Sequence, residues 1–321
     1  MNDPRLTIGM PVFNNERFLD EAIASHVGQS FGDFRLIVAD NGSTDQTRRI
    51  AQRWAARDKR VEYVRHSENR GVCWNFNYLA ERARAPLFKW SAGDDVCQAS
   101  FLERCVRVMD ERPEVVCCHS YTEKIGEHGE PLGLPDPTLG GRSTRGVNAS
   151  AEDPARRFAD VLLHSGWSVR CYGVMRHSVL TQSRLIQPFY GSEKVMMSEL
   201  ALRGPFCDVP EALFQHRVHA SASSNLQTAK QQQAFFDPTR KFANTRTRNL
   251  TGFLSAVRRA PLSPAQRLQC LAVIARYLLQ WRKWSAVIGS ACRGRGAGAA
   301  GGELTAAKRN VASSLAQETH P

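Results

Sequence analysis

Two adjacent carboxylates, Asp94 and Asp95, close the stretch Trp90-Ser91-Ala92-Gly93-Asp94-Asp95-Val96. The apolar run Pro86–Trp90 leads in and a helix-like stretch from Ala99 to Glu111 leads out. This pattern predicts a buried strand ending in a tight turn, with both carboxylates at the carboxyl end of the strand, the edge at which open α/β sheets bind ligands. Paired Asp oxygens suit a hard divalent cation such as Mg or Mn, which takes phosphate oxygens as its remaining ligands. Gly-Asp-Asp is also ordinary turn chemistry, so its meaning depends on the elements that position it.

Those elements alternate. Leu6–Phe13 is a short apolar run closed by Asn14-Asn15, and Glu16–Gln29 follows with apolar residues at helical spacing. Phe34–Asp40 reads as a buried strand, followed by Asn41-Gly42-Ser43-Thr44-Asp45, where Ser43 or Thr44 can cap a helix to about Arg57. A third strand at Val61–Arg65, the turn Asn69-Arg70-Gly71 and a helix over 72–84 lead to the strand at 86–91. Four strand–helix alternations in about ninety residues predict a parallel, doubly wound arrangement. Further strands are expected at Glu114–Thr122, Val169–Met175 and Phe206–His219, with helices from Asp153 to His164 and from Tyr190 to about Gly204. Residues 126–150 are rich in Gly, Pro, Ser and Thr and predict a long loop, expected to order over a bound ligand.

The 321 residues carry a net charge of +12, with 42% hydrophobic and 23% charged residues, ordinary for a globular chain able to bury a sizeable core. The charge is uneven. Residues 1–223 hold 28 basic and 28 acidic residues, and residues 224–321 hold 15 and 3. Nine scattered cysteines without a Cys-x-x-Cys pair predict reduced thiols rather than a disulfide framework or zinc site. The polar opening Met1–Arg5 predicts no secretory leader, and no run of about 18 uncharged apolar residues predicts a membrane span.

Ser263-Pro264-Ala265-Gln266 is a strong helix start, with the helix expected to run to about Gly289. Val273, Ile274, Tyr277, Trp281, Trp284 and Ile288 share one face of it. Aromatic residues on an apolar face ringed by Lys and Arg suit an anionic membrane surface through residues 264–289; the same face could instead pack on the body. Residues 293–302 read as a flexible linker.

The first 120 or so residues resemble family 2 glycosyltransferases of the GT-A fold. The likeness rests on Gly9-Met10-Pro11-Val12-Phe13-Asn14-Asn15-Glu16, Val38-Ala39-Asp40-Asn41-Gly42-Ser43-Thr44-Asp45, Asn69-Arg70-Gly71 and Gly93-Asp94-Asp95, in the family's order and approximate spacing. It resumes at Gly191–Gly204 and Arg217-Val218-His219. The resemblance implies a GT-A type doubly wound mixed sheet flanked by helices; it does not cover the last ninety residues, whose charge and helix start predict a basic helical C-terminal appendage. The resemblance divides the domain into a nucleotide-sugar half over 1–122 and an acceptor half over 123–225, and the residues beyond read as a helical extension over 226–292 and a tail over 293–321.

It also implies an inverting, metal-dependent transferase that uses a nucleotide-diphospho-sugar, a UDP-sugar by expectation, and Mg or Mn. The acceptor would be a glycan or lipid-linked saccharide of surface polysaccharide synthesis, met in the cytoplasm or at the inner face of the plasma membrane. Pro11, Phe13, Asn15, Asp40, Arg70 and Asp94 are then the expected donor contacts; Asp94, Asp95 and His219 the expected metal ligands. Many relatives carry an Asp where Ala92 stands, which leaves open how Asp94 and Asp95 divide metal and ribose. Glu193 is the expected general base, with Glu199 as rival. A nucleotidyltransferase would need a Gly-rich loop bearing Arg or Lys after the first strand, and a Rossmann dehydrogenase would need Gly-x-Gly-x-x-Gly; neither is present. A nucleic-acid binder acting through the basic tail is the non-enzymatic alternative; no nucleic acid is expected, because the basic and aromatic residues sort by helix face.

Overall fold

The computed structural model describes residues 3–133, 151–164, 169–222, 228–236 and 245–279. Residues up to Tyr277 form one compact unit; the chain from Leu278 onward forms a second, almost all of it outside the described residues.

An eight-stranded mixed sheet is the centre of the larger unit. Its first half is built from β1 (Leu6–Val12), β2 (Phe34–Asp40), β3 (Val61–Arg65) and β4 (Leu87–Trp90), joined by α1 (Leu19–Val27), α2 (Thr47–Arg57) and α3 (Val72–Arg82). β1 pairs in parallel with both β2 and β4, and β2 pairs in parallel with β3. The chain therefore winds outward from β1 to β3, then returns to the other side of β1. Such a reversal opens a crevice at the carboxyl ends of the strands on either side of it.

The second half is where the sheet becomes mixed. It comprises β5 (Val96–Cys97), β6 (Cys117–Ile125), β7 (Val174–Arg176) and β8 (Phe206–Arg217). β7 runs antiparallel to β4 and β6, β8 runs parallel to β6, and β5 runs antiparallel to β8. The β5–β8 pairing brings the carboxyl end of β8 alongside the turn after β4. Val169–Met175, expected as one strand, is a 3-10 turn over Val169–Tyr172 followed by β7.

Both faces of the sheet are buried, which is why its strands read as near-continuous apolar runs. Leu6, Ile8, Met10 and Val12 of β1 join α1, α2 and α4 (Phe101–Glu111) in one core. Ile37, Ala39, Phe88 and Trp90 face the other way, onto α3 and α7 (Ser192–Ala201). At Gly9 a Cβ would sit 2.8 Å from the Leu79 Cβ, so glycine there lets α3 lie close on the sheet.

A third core joins α5 (Pro154–Ala159), α7, α9 (Thr245–Arg259) and α10 (Pro264–Leu279). The start of α10 is reciprocally capped: Gln266 N donates to Ser263 Oγ at 3.2 Å and Ser263 N donates to Gln266 Oε1 at 3.0 Å. Cys270, Val273 and Ile274 are buried in this core and the Tyr277 ring meets Phe253 at 5.6 Å. The described part of the face expected to meet a membrane is thus turned inward. Trp281, Trp284 and Ile288, the linker at 293–302 and residues 134–150 of the expected loop lie outside the described residues. Among the described residues no disulfide joins the eight cysteines, and no helix is long and apolar enough to cross a membrane.

Candidate active site

A cavity of about 490 Å³ occupies the crevice at the carboxyl ends of β1 and β4. Pro11, Phe13 and Asn15 line it from the β1 side, Asn41 from the end of β2, and Ala92, Gly93 and Asp94 from the turn after β4. His219, two residues beyond β8, closes the far side, and Tyr172 and Phe235 form part of the wall.

The rim is stiff because its loops satisfy one another. Asn14, at φ 51°, donates its N–H to Ser43 Oγ at 2.9 Å, and its Oδ1 accepts from Thr44 N at 2.9 Å. Asn15 N donates to Thr47 Oγ1 at 2.8 Å, Glu16 N to Asp45 Oδ2 at 3.0 Å, and Gln46 N to Glu16 Oε2 at 2.8 Å. Five cross-loop bonds thus fix where Phe13 and Asn15 stand. They also explain the cap of α2: the helix begins after Gln46, while Ser43 and Thr44, the expected caps, are engaged with Asn14.

Asp94 and Asp95 diverge. Asp94 lines the cavity, and its Oδ2 lies 2.9 Å from His219 Nε2. Asp95 is buried and points the other way. Its Oδ1 accepts from Arg217 N at 3.0 Å and lies 3.0 Å from His216 Nδ1, and burial raises its pKa. Arg217, itself 1% exposed, braces the turn: its Nε donates to the Asp94 carbonyl at 2.9 Å and its Nη1 to the carbonyls of Gly126 and Glu127 at 3.1 and 3.0 Å. Nη2 meets Glu21 Oε2 at 2.6 Å.

Asp40 and Arg70 stand outside the lining. Asp40 is fully buried; its Oδ1 accepts from Ser43 N at 2.8 Å and its Oδ2 from the Tyr63 hydroxyl at 2.7 Å. Its neighbour Asn41 reaches the cavity instead. Arg70 is exposed, with its guanidinium 4.0 Å from the Trp74 ring centroid.

Glu193 sits in the first turn of α7 beside a smaller apolar pocket of about 100 Å³ walled by Trp90, Tyr172, Tyr190, Phe235 and Phe236. Val72, Phe76, Tyr172 and Phe235 line both spaces, so the two adjoin. Burial raises the Glu193 pKa, the usual way a carboxyl is tuned toward proton transfer near neutrality. Glu199 is fully buried, with Oε2 accepting from Arg184 N at 2.7 Å and Oε1 from Arg184 Nε at 3.0 Å. That leaves Glu199 a structural carboxylate and Glu193 the one that faces a cavity.

The turn before Glu193 is held from the far end of the chain. Gly191 has φ 83°, a glycine-favouring conformation, and Asn249 Nδ2 of α9 donates to the Tyr190 carbonyl at 3.4 Å. A Cβ on Gly252 would lie 2.8 Å from Val195 Cγ2, so glycine allows α9 to sit directly on α7. The aromatic pair Phe235-Phe236 comes from α8 (Ala229–Phe236), which follows no motif; its only sequence signal is two adjacent aromatics after Gln231-Gln232-Gln233-Ala234.

The family model "Glycosyl transferase family 2" matches residues 7–154. An uncharacterized glycosyltransferase of Haemophilus influenzae is 23% identical over 245 residues, covering 72% of this chain and 71% of its own. The GalNAc(5)-diNAcBac-PP-undecaprenol beta-1,3-glucosyltransferase of Campylobacter jejuni is 24% identical over 228 residues, covering 71% and 69%. In fold, the chain resembles residues 1–349 of S. aureus TarS in complex with UDP, with a TM-score of 0.64 at 15% identity over 90% of this chain and 75% of that one. With its motifs assembled on a GT-A sheet at the switch-point crevice, the chain carries a glycosyl transferase family 2 region over residues 7–154.

Proposed function

We propose that this glycosyltransferase transfers a sugar from a UDP-sugar, with inversion, to a hydroxyl of a glycan or lipid-linked saccharide in surface polysaccharide synthesis. The observation that carries the reading is Glu193, whose carboxyl faces a pocket sharing walls with the switch-point cavity. The nucleotide fits the β1 side, where Pro11 offers main-chain groups, Phe13 a ring edge and Asn15 an amide, while the Asn41 amide is engaged with Asn69, Arg70 and Gly71. TarS, which shares the fold, has been solved with UDP and with UDP-GlcNAc, and the Campylobacter relative is named for a lipid-diphosphate-linked acceptor.

Transfer requires the acceptor oxygen to attack the anomeric carbon as the bond from that carbon to the diphosphate oxygen breaks. Glu193 takes the hydroxyl proton as the new C–O bond forms, and the diphosphate departs with the bonding electron pair. The aromatic walls of the smaller pocket exclude water, which would otherwise compete as acceptor.

Asp94 and His219 would hold Mg or Mn, since a carboxylate oxygen and an imidazole nitrogen converge at the cavity edge. Among the described residues no third His, Cys, Asp or Glu joins them. When bound, the cation would neutralise charge on the departing diphosphate. Asp95 acts as an anchor rather than a ligand, and Asp40 supports the floor beneath Asn41.

Thermal shift with UDP and UDP-sugars, with and without Mn, tests the donor assignment. Stabilisation by UDP that grows with Mn is expected; no response to any nucleotide sugar would overturn it. Glu193→Gln should retain UDP binding and lose transfer, and full transfer activity in that variant would remove Glu193 as the base.

A further inference from the structure

Helix α10 carries a second apolar face that neither the core nor the transfer site uses. At 100° per residue, Cys270, Val273, Ile274 and Tyr277 point into the third core. Leu268, Leu271, Ala272 and Ala275 fall on the opposite side, and all four are exposed, Leu268 at 69% and Leu271 at 41%. Arg267 and Arg276 mark its two edges. A surface helix ordinarily keeps one apolar stripe, turned to the core, and a polar opposite face, so an outward leucine stripe needs a partner.

Charge selects that partner. Residues 245–279 contain six arginines (246, 248, 258, 259, 267 and 276) and no Asp or Glu. A second copy seated on the stripe would set this segment against its own like charges. The chain's own continuation is also basic, with Arg282, Lys283, Arg293, Arg295, Lys308 and Arg309 against Glu303 and Glu318. An anionic bilayer surface instead accepts leucines at the acyl boundary and pairs arginines with lipid phosphates. We propose that α10 docks through its outer face, centred on Leu268 and Leu271, onto a bilayer surface rich in anionic phospholipid. The docking face is thus opposite to the one the aromatic pattern of the sequence singles out, and its assignment does not depend on the identity of the base or donor.

Sedimentation of the full chain with phosphatidylglycerol-containing vesicles and with neutral phosphatidylcholine vesicles tests this. The wild-type chain should pellet with the anionic vesicles and stay largely in solution with the neutral ones. L268D/L271D should bind anionic vesicles at least about tenfold more weakly, with unchanged far-ultraviolet circular dichroism and unchanged hydrolysis of a nucleotide sugar in solution. L268Q, a milder change at the more exposed position, should show a smaller loss in the same direction. Equal sedimentation of L268D/L271D and wild type would overturn the proposal, as would equal binding to neutral vesicles. A wild-type dimer in light scattering that L268D/L271D dissolves would assign the stripe to a second copy and also overturn it.

Discussion

Replacing Arg217 with Met tests whether one buried side chain holds the Gly93-Asp94-Asp95 turn in place. The guanidinium donates to three main-chain carbonyls, those of Asp94, Gly126 and Glu127, and methionine fills similar volume while donating to none. Losing a charged donor to a buried carbonyl costs about 1–2 kcal/mol each once part of the desolvation is recovered by water, so the three together cost roughly 4 kcal/mol. The contact with Glu21 adds little, because that carboxylate is 55% exposed. For a body of this size about 1 kcal/mol corresponds to about 2–4 °C in Tm, so R217M should melt roughly 10 °C lower. R217K should fall between, since one ammonium cannot span the three carbonyls. Differential scanning calorimetry, with Glu21→Gln as a near-silent control, measures this. A Tm for R217M within about 2 °C of wild type would refute the strut, and with it the account of how Asp94 is aimed.

Asp94 and Asp95 should separate cleanly: Asp94→Asn should abolish the Mn-dependent part of UDP stabilisation with little change in Tm of the free protein. Asp95→Ala should destabilise the fold by about 2–4 kcal/mol, read as a lower Tm, because Arg217 N loses its acceptor and His216 loses its contact with Asp95. Glu193 gives a pH signature. Its native pKa is raised by burial, so between the ordinary carboxyl value and the raised one the native state holds a proton the unfolded chain has lost. Stability from this group therefore falls as pH rises through that window, while transfer rises as the base is freed. E193Q should be more thermostable than wild type at pH 8 while kcat drops by about 10²–10⁴-fold; a lower Tm for E193Q would contradict the burial. Gly252→Val should lower Tm and transfer together, since a Cβ there meets Val195 at 2.8 Å; unchanged kcat would detach α9 from the base.

What the sequence made legible was the rim of the switch-point cavity. Asn14, Glu16, Ser43 and Asp45 are polar residues at strand ends, and they are paired with one another by the crossover that sets β1 beside β2. The individual roles were less legible, because each depends on a distant partner. Asp40 looks free at the end of its strand, yet Tyr63, 23 residues later, takes one of its oxygens. Asp95 is indistinguishable from Asp94 until β8 returns to the sheet and Arg217 N claims its carboxylate. Arg70 reads as a phosphate contact, but Trp74, one helical turn on, offers its ring nearby. In α10 both faces are apolar, and periodicity alone cannot say which one finds Phe253. The second half of the sheet is built from strands as short as two and three residues, whose pairing carries almost no local signal.

The seat of α9 on α7 gives the enzyme two separately adjustable jaws. The nucleotide jaw is laced by its own loops within the first fifty residues. The jaw that carries Glu193 takes its position from Asn249 and Gly252, nearly a hundred residues beyond the stretch matched by the family model. On the proposed assignment, changes confined to α9 reposition Glu193 against different acceptor hydroxyls while leaving the β1 rim untouched. In a lineage of such enzymes, linkage could drift without the donor being relearned.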